Sequence, residues 1–302
     1  MSQTFPSETP SEAQALHPDQ LFEKFSRLGV KKAVTRWQWE GIHQCGPEDL
    51  EWNIMDKLHR PHVHRTYTQA LQIAATSKAA ITLTTVSLAK IPFMVVIADV
   101  QVRQDLYYQC FTLFGLIYFH AVIDTGERRL VTWYIVSPRW LKFSHSFLSR
   151  RYLNLTIQQD EEDRPIRERR AQLRTRGYLF SEKKPDFLVS NTLSNNVRPP
   201  KLGQNRPISL LGLTEGKLHK VSIGPVEFLV RPNPDQSFTV WPEVCPHEGA
   251  PLAQGKICGL QIECLWHGLR FSGAQLSAAE SSCLIYNYHF ELDGHTLTVT
   301  EI

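Results

Sequence analysis

The sequence predicts an α+β chain of two parts: an antiparallel sheet followed by a long helical region, then a small all-β unit. Three observations predict it. Between Ala79 and Val136, β-branched and aromatic residues fall into short runs bounded by turn signals. From Trp140 to Arg176 those runs give way to a helical stretch. From residue 207 onward, short apolar runs alternate with Gly, Pro, Asp and Asn.

The elements follow in order. Residues 1–18 are polar and rich in Ser, Pro and Glu, and read as a disordered tail with no apolar core of a signal peptide. Residues 19–29 predict a short helix, with Leu21, Phe22, Phe25 and Leu28 on one face and Gly29 to stop it. Glu48 to His64 has few β-branched residues and predicts helix interrupted by Pro61. The sheet comprises runs around Ile81–Val86, Val95–Ile97, Phe111–Tyr118 and Leu130–Val136, with a turn at Asp124-Thr125-Gly126-Glu127. In the helical region Pro165 must occupy a first turn or a kink. Residues 181–206, with Pro185, Asn191, Asn195, Asn196, Pro199 and Pro200, predict a linker. Strands are expected at Val226–Val230, Phe238–Trp241, Ile257–Ile262, Tyr286–Leu292 and Thr296–Thr300.

Composition narrows the function. A net charge of +3 over 302 residues argues for neither nucleic acid nor a membrane surface as partner. The basic run Arg167, Arg169, Arg170, Arg174 and Arg176 reads as a solvated helix face. Ile91–Ala98 and Phe111–Ala121 are too short to span a bilayer. Six cysteines in a chain of this length do not make a disulfide framework. Cys45, Cys110, Cys258 and Cys283 are expected as packed thiols, and a reducing cytoplasm is the simplest setting.

The other two cysteines belong to a metal pattern. Cys245-Pro246-His247-Glu248-Gly249-Ala250-Pro251-Leu252 is followed by Cys264-Leu265-Trp266-His267-Gly268. Each short arm offers one thiolate and one imidazole, a donor set for a binuclear iron–sulfur centre with two thiolates on one iron and two histidines on the other. A structural zinc site is the alternative, but zinc fingers usually pair like ligands within an arm. Gly249, Gly268 and Pro251 would let both loops close tightly, with Trp241, Trp266 and Phe271 packed around them. These residues resemble the Rieske family. Ala250 and Trp266 stand where respiratory-chain Rieske proteins add cysteines, so the resemblance is to the oxygenase and ferredoxin branch.

A second pattern lies far upstream. Asn53, Asp56, His59 and His64 read N-x2-D-x2-H-x4-H. Two imidazoles and one carboxylate can make a facial triad for non-haem Fe(II). On a helix Asp56 and His59 share a face, and a kink at Pro61 would bring in His64. Alone, a solvated histidine-rich loop explains these residues equally well. The pattern is, however, that of Rieske non-haem iron oxygenases, and two such motifs in one chain are more specific than either. The resemblance implies a helix-grip (START-like) catalytic domain over 19–180 and a Rieske [2Fe–2S] domain over 207–302. It further implies His59 and His64 as ligands of a mononuclear Fe(II), Asp56 as a bridge to His267, and Asn53 as a polar residue near the iron. The third ligand is expected among the acidic residues before Pro165. Glu162-Asp163 with Glu168 fits the family pattern, which favours Asp163 and keeps Asp160 in reserve. Asp163 could equally be a helix N-cap. His62 is expected to point away from the iron, and His120 to be a core or cavity histidine.

The order of the two domains departs from the family, in which the Rieske domain comes first. The resemblance implies a homotrimer in which each cluster faces a neighbour's iron, so chain order would matter little. It implies an oxygenase acting with O2 on an apolar or aromatic small molecule, by hydroxylation or demethylation. No flavin or nicotinamide site is visible, so an external ferredoxin or reductase must donate electrons. Two other readings stay open: a Rieske electron-transfer protein fused to a ligand-binding helix-grip domain, and a non-catalytic partner subunit of another oxygenase.

Overall fold

The computed structural model describes residues 23, 31–39, 44–76, 78–88, 90–103, 106–113, 116–124, 129–137, 143–181, 196–202 and 207–302. The expected tail, the helix expected at 19–29 apart from Glu23, the turn residues 125–128, most of the linker 181–206 and the side chain of His120 lie outside the described residues.

A seven-stranded sheet is built from β1 (Lys31–Trp39), β2 (Tyr67–Ala75), β3 (Ala79–Leu88), β4 (Ile91–Arg103), β5 (Leu106–Leu113), β6 (Leu116–Asp124) and β7 (Arg129–Ser137). Its order is β1-β7-β6-β5-β4-β3-β2, so strands adjacent in sequence are adjacent in space except where β1 joins β7. That pairing is antiparallel and runs from Lys31↔Ser137 to Trp39↔Arg129. β4 shows the period of two that places side chains on alternate faces: Val95, Ile97 and Asp99 are buried, while Met94 and Val96 are exposed. The sheet is wider than the run from 79 to 136. β1 carries Lys31, Lys32 and Arg36, and β2 is mostly polar or exposed, so neither shows the apolar runs that marked the other strands.

His145–Thr175 is one helix of 31 residues with Pro165 inside it. Its buried positions Ile166, Arg167, Arg170 and Leu173 recur at three- and four-residue spacing, giving one face to the interior. The segment from 48 to 64 is corrected in one respect. The helix Pro47–Met55 ends at Asp56, and a second, Arg60–Val63, begins with Pro61 in its first turn. Proline has no N–H to lose there, so it starts a helix rather than breaking one, and the break falls at Asp56–His59.

The C-terminal part is all-β. β8 (Leu179–Phe180) pairs with β9 (Val197–Arg198). One sheet joins β10 (Ile208–Ser209), β18 (Ser282–Ile285), β19 (Tyr288–Asp293) and β20 (Thr296–Glu301). A second joins β11 (His219–Ile223), β12 (Val226–Pro232), β13 (Phe238–Pro242) and β17 (Ala274–Leu276). A third is β14 (Lys256–Cys258), β15 (Gln261–Glu263) and β16 (Arg270–Ser272). The core between the strands includes Phe228, Val230, Val240, Leu276, Phe290 and Val299. Phe228 meets Phe290 edge-on at 4.9 Å and Tyr288 at 5.6 Å. Each such buried side chain is worth about 1.5–3 kcal/mol of apolar burial.

The fold class is thus an antiparallel sheet with a following long helix, the helix-grip arrangement, plus an all-β C-terminal domain. The described residues fall into two compact units. One draws on Met1–Ile42, Ile73–Thr84 and Met94–Gln158, the other on His43–Gln72, Thr85–Phe93 and Gln159–Ile302. Among the described residues no helix is long and apolar enough to cross a membrane.

Candidate metal centres

Both motifs fall in the second unit. The two C-terminal loops are closed by the same backbone pattern. Cys245 N–H donates to Ala250 O at 2.8 Å and Gly249 N–H returns to Cys245 O at 2.9 Å. Cys264 N–H donates to Leu269 O at 2.7 Å and Gly268 N–H returns to Cys264 O at 2.8 Å. The glycine four residues after each cysteine has positive φ, +91° at Gly249 and +66° at Gly268, where an L side chain is strained. The first loop follows β13 and the second joins β15 to β16, so rigid strands set the four donors. Trp241, Trp266 and Phe271 share one buried cluster with Cys245 and Cys264, as expected. All six cysteines are free thiols, and Cys258 is exposed rather than packed, at the end of the short strand β14.

The donors fit a [2Fe–2S] cluster. Both thiols are buried, and Nδ1 of His247 and of His267 is buried without a hydrogen-bond partner in the structure. The two imidazole rings lie 4.6 Å apart and perpendicular. A hydrogen bond with Cys245 pulls the Cys264 thiol down to about 5 despite burial. Burial and the charge of His267 bring His247 down to about 4.

Upstream, Asp56 and His59 flank the break between the two short helices, and His64 ends the second. The structure brings His59, His64 and Asp163 together, with one donor atom of each within 4.8 Å of the others. Asp163 Oδ1 lies 3.2 Å from Nε2 of His59 and 3.2 Å from Nε2 of His64. Neither Asp163 Oδ1 nor a ring nitrogen of His59 makes a hydrogen bond in the structure. Two imidazole nitrogens and a carboxylate oxygen converging this closely are a donor set that fits mononuclear Fe(II). Asp163 lies inside the helix rather than capping it. Asp160 is engaged elsewhere: its Oδ1 accepts from Arg167 Nη1 at 3.1 Å.

The outward nitrogens meet a second layer of carboxylates. His59 Nδ1 lies 3.5 Å from Asp56 Oδ2, and that same oxygen accepts from His267 Nε2 at 2.6 Å. Asp56 Oδ1 also accepts the Leu58 N–H at 3.2 Å. Burial alone would raise Asp56, but His267 and His59 hold its carboxyl well below the usual range. Conversely, burial would lower His267, but Asp56 brings it up to about 10. Asn53 is buried, and its Oδ1 accepts from Arg167 Nη1 at 3.4 Å. His62 packs against the second loop, since a Cβ at Gly268 would fall 2.5 Å from its ring.

The basic run is corrected. Arg167 and Arg170 are buried, and every member of the run except Arg167 pairs with a carboxylate far away in sequence. Arg167 pairs with Asp160 in its own helix. Arg170 lies between Asp49 and Glu248, with its guanidinium 3.9 Å from the Trp52 ring and 3.9 Å from the Phe180 ring. Arg169 donates to Gly249 O at 2.8 Å and to Glu243 at 2.7 Å. A buried charge is tolerated when paired and hydrogen-bonded, and the carboxylates flanking the Cys245 loop were the available signal. Glu162 was read only as part of a pattern. Its Oε2 bonds His64 Nδ1 at 2.9 Å, and its place directly before Asp163 was the clue.

Residues 209–284 match the family model described as the Rieske [2Fe-2S] domain. No curated protein matches the chain. Among solved structures the chain is similar to the Zhui aromatase/cyclase from Streptomyces sp. R1128, at 10% identity over 47% of this chain and 95% of that one, with a TM-score of 0.36. It is similar to norcoclaurine synthase from Thalictrum flavum, at 13% identity over 51% and 94%, TM-score 0.34. It is also similar to a START superfamily protein from Mycobacterium smegmatis, at 6% identity over 41% and 91%, TM-score 0.31. The C-terminal part of the chain is therefore a Rieske [2Fe–2S] domain, a module that carries electrons through its cluster.

Proposed function

We propose that the chain is a Rieske-type oxygenase. In this reading Cys245, His247, Cys264 and His267 hold the cluster, and His59, His64 and Asp163 hold a mononuclear Fe(II). When bound, these groups supply single electrons and activation of O2. The chain's own residues do the positioning. Asp56 accepts the Nε2 proton of His267 and faces Nδ1 of His59 with the same oxygen, fixing both rings. Glu162 fixes His64 in the same way. Arg167 neutralises Asp160 and reaches Asn53, which keeps Asp160 away from the iron position. The substrate is an apolar or aromatic small molecule, oxidised by hydroxylation or demethylation, and an external ferredoxin or reductase is the donor.

The observation that carries the reading is the convergence of His59, His64 and Asp163, joined through Asp56 to His267. Iron per chain in anaerobically purified protein tests it. Three irons in the wild type and two in His59→Ala, with the cluster spectrum unchanged, are expected. Two irons in both, at full cluster occupancy and after Fe(II) reconstitution, would leave an electron-transfer protein or a partner subunit.

A further inference from the structure

In the first unit, the middle of the large sheet turns polar side chains inward. A sheet with one covered face normally puts its apolar residues on that face. Here Thr82 and Thr84 on β3 and Asp99 and Gln101 on β4 are buried, whereas Ile81, Met94, Val96 and Val100 are exposed. β5 extends the polar face, because its antiparallel register sets Gln109 opposite Asp99 and Tyr107 opposite Gln101. Gln109 Nε2 donates to Asp99 Oδ1 at 2.7 Å, and Gln101 Nε2 donates to the Tyr107 hydroxyl at 3.1 Å. Two residues along, Ile97 lies opposite Phe111, and the Phe111 ring packs on Tyr152 of the long helix at 5.5 Å. Residues two apart on a strand share a face, so the polar positions lie on the face that the helix covers, beside an aromatic flank. Thr82 and Thr84 are 0% and 1% exposed, and neither hydroxyl has a hydrogen-bond partner among the described residues. Taking a hydroxyl out of water without a partner is costly, and folded proteins rarely leave one so. Two of them, on the strand next to a buried carboxylate held by an amide, suit recognition better than packing.

We infer that this face of the sheet is a ligand-recognition wall, and that its ligand is a small aromatic molecule carrying a hydrogen-bond donor, a hydroxyl or an amine, at the end that meets Thr82, Thr84 and Asp99. A carboxylate accepts hydrogen bonds and repels an anion, so a ligand with an acid group at that end is disfavoured. The threonine hydroxyls both accept and donate, and serve the same group. Phe111 and Tyr152 supply the ring contact. Calling this ligand the substrate rests on the oxygenase reading; its binding to the wall does not.

The test is calorimetric titration of the purified full-length chain with four probes of one shape: naphthalenemethanol, naphthylmethylamine, naphthoate and methylnaphthalene, all substituted at the same ring position. The alcohol and the amine are expected to bind roughly 2–12-fold more tightly than methylnaphthalene, the worth of one ordinary hydrogen bond, and naphthoate the most weakly. Whichever of the two donors binds more tightly identifies the natural group as neutral or cationic. The double variant Thr82→Val/Thr84→Val removes both hydroxyls and nearly keeps their shape. It is expected to lose the preference for the donor probes, to bind methylnaphthalene at least as well as wild type, and to unfold at no lower denaturant concentration. A merely structural role for the hydroxyls would show the reverse, lost stability with the preference intact. Asp99→Asn is expected to abolish any advantage of the amine over the alcohol. Equal affinity for donor probes and methylnaphthalene in wild type, naphthoate as the tightest probe, no binding of any probe, or a double variant with its preference unchanged would overturn the recognition wall and leave the iron count of the chain untouched. Conversely, a chain with two irons would leave these affinities standing and make the ligand something other than an oxygenase substrate.

Discussion

Oε2 of Glu162 and Nδ1 of His64 are 2.9 Å apart across 98 residues of sequence. A carboxylate behind a metal-bound imidazole fixes its tautomer and raises its basicity, and losing such a partner costs about 10–100-fold in metal affinity. Glu162→Gln is therefore expected to weaken Co(II) binding within that range, with the fold unchanged by circular dichroism. Wild-type affinity in a direct titration would make the contact a simple partly exposed ion pair.

Arg170→Met should be among the most destabilising single changes in the helix. It leaves Asp49 and Glu248 buried against each other's surroundings with one cation fewer, and breaking such a buried pair costs about 3–5 kcal/mol. Arg164 also makes a short contact with Glu161, at 2.7 Å, but both side chains are over a third exposed. Arg164→Met is expected to cost about 0–1 kcal/mol. Denaturant unfolding of the two variants side by side checks the contrast, and equal losses would refute it.

Metal uptake should depend on pH in a set direction. Burial lowers His59, but Asp163 and Asp56 outweigh it and raise the ring above its ordinary 6.5. A protonated ring cannot ligate, so Co(II) affinity is expected to fall as pH drops, with a midpoint above 6.5. Removing a neighbouring negative charge in Asp56→Asn should shift that midpoint to lower pH. An unchanged midpoint in the variant would show that Asp56 does not govern the ring.

Gly268→Ala tests the second loop. The left-handed backbone costs an L residue about 1–2 kcal/mol, and the new Cβ must push aside His62. The expected result is reduced cluster content per chain by absorbance. The same change at Gly216, φ +72° with open space around it, meets the backbone cost alone and should leave cluster content unchanged.

Legibility in the sequence followed the range of the interactions. The Cys245 and Cys264 loops could be read because their ligands, glycines and closing hydrogen bonds lie within six residues of one another. The upstream motif could be read as a spacing but not as a shape. Asp56 and His59 meet across a helix break, and Pro61 opens a helix where it was expected to interrupt one. The choice of Asp163 over Asp160 turned on a pattern, and the structure separates them through Arg167, whose hold on Asp160 no spacing reveals. The arginine run was misread for the same reason, since Asp49 and Glu248 lie 121 and 78 residues from Arg170. β1 and β2, the two edge strands, were missed because β1 carries Lys31, Lys32 and Arg36 and β2 is largely exposed, so neither has the apolar signature of a buried strand.

The 211 residues between Asp56 and His267 also set a schedule for the growing chain. At about 5–20 residues per second, synthesis delivers His267 on the order of ten to forty seconds after Asp56. Throughout that interval Trp52 and Asp56 wait for Trp266 and His267, the partners that bury them. Translation that stops before residue 264 yields a chain in which Trp52 lacks Trp266 and Asp56 lacks His267. Such fragments present to chaperones and proteases a surface that the finished protein never shows.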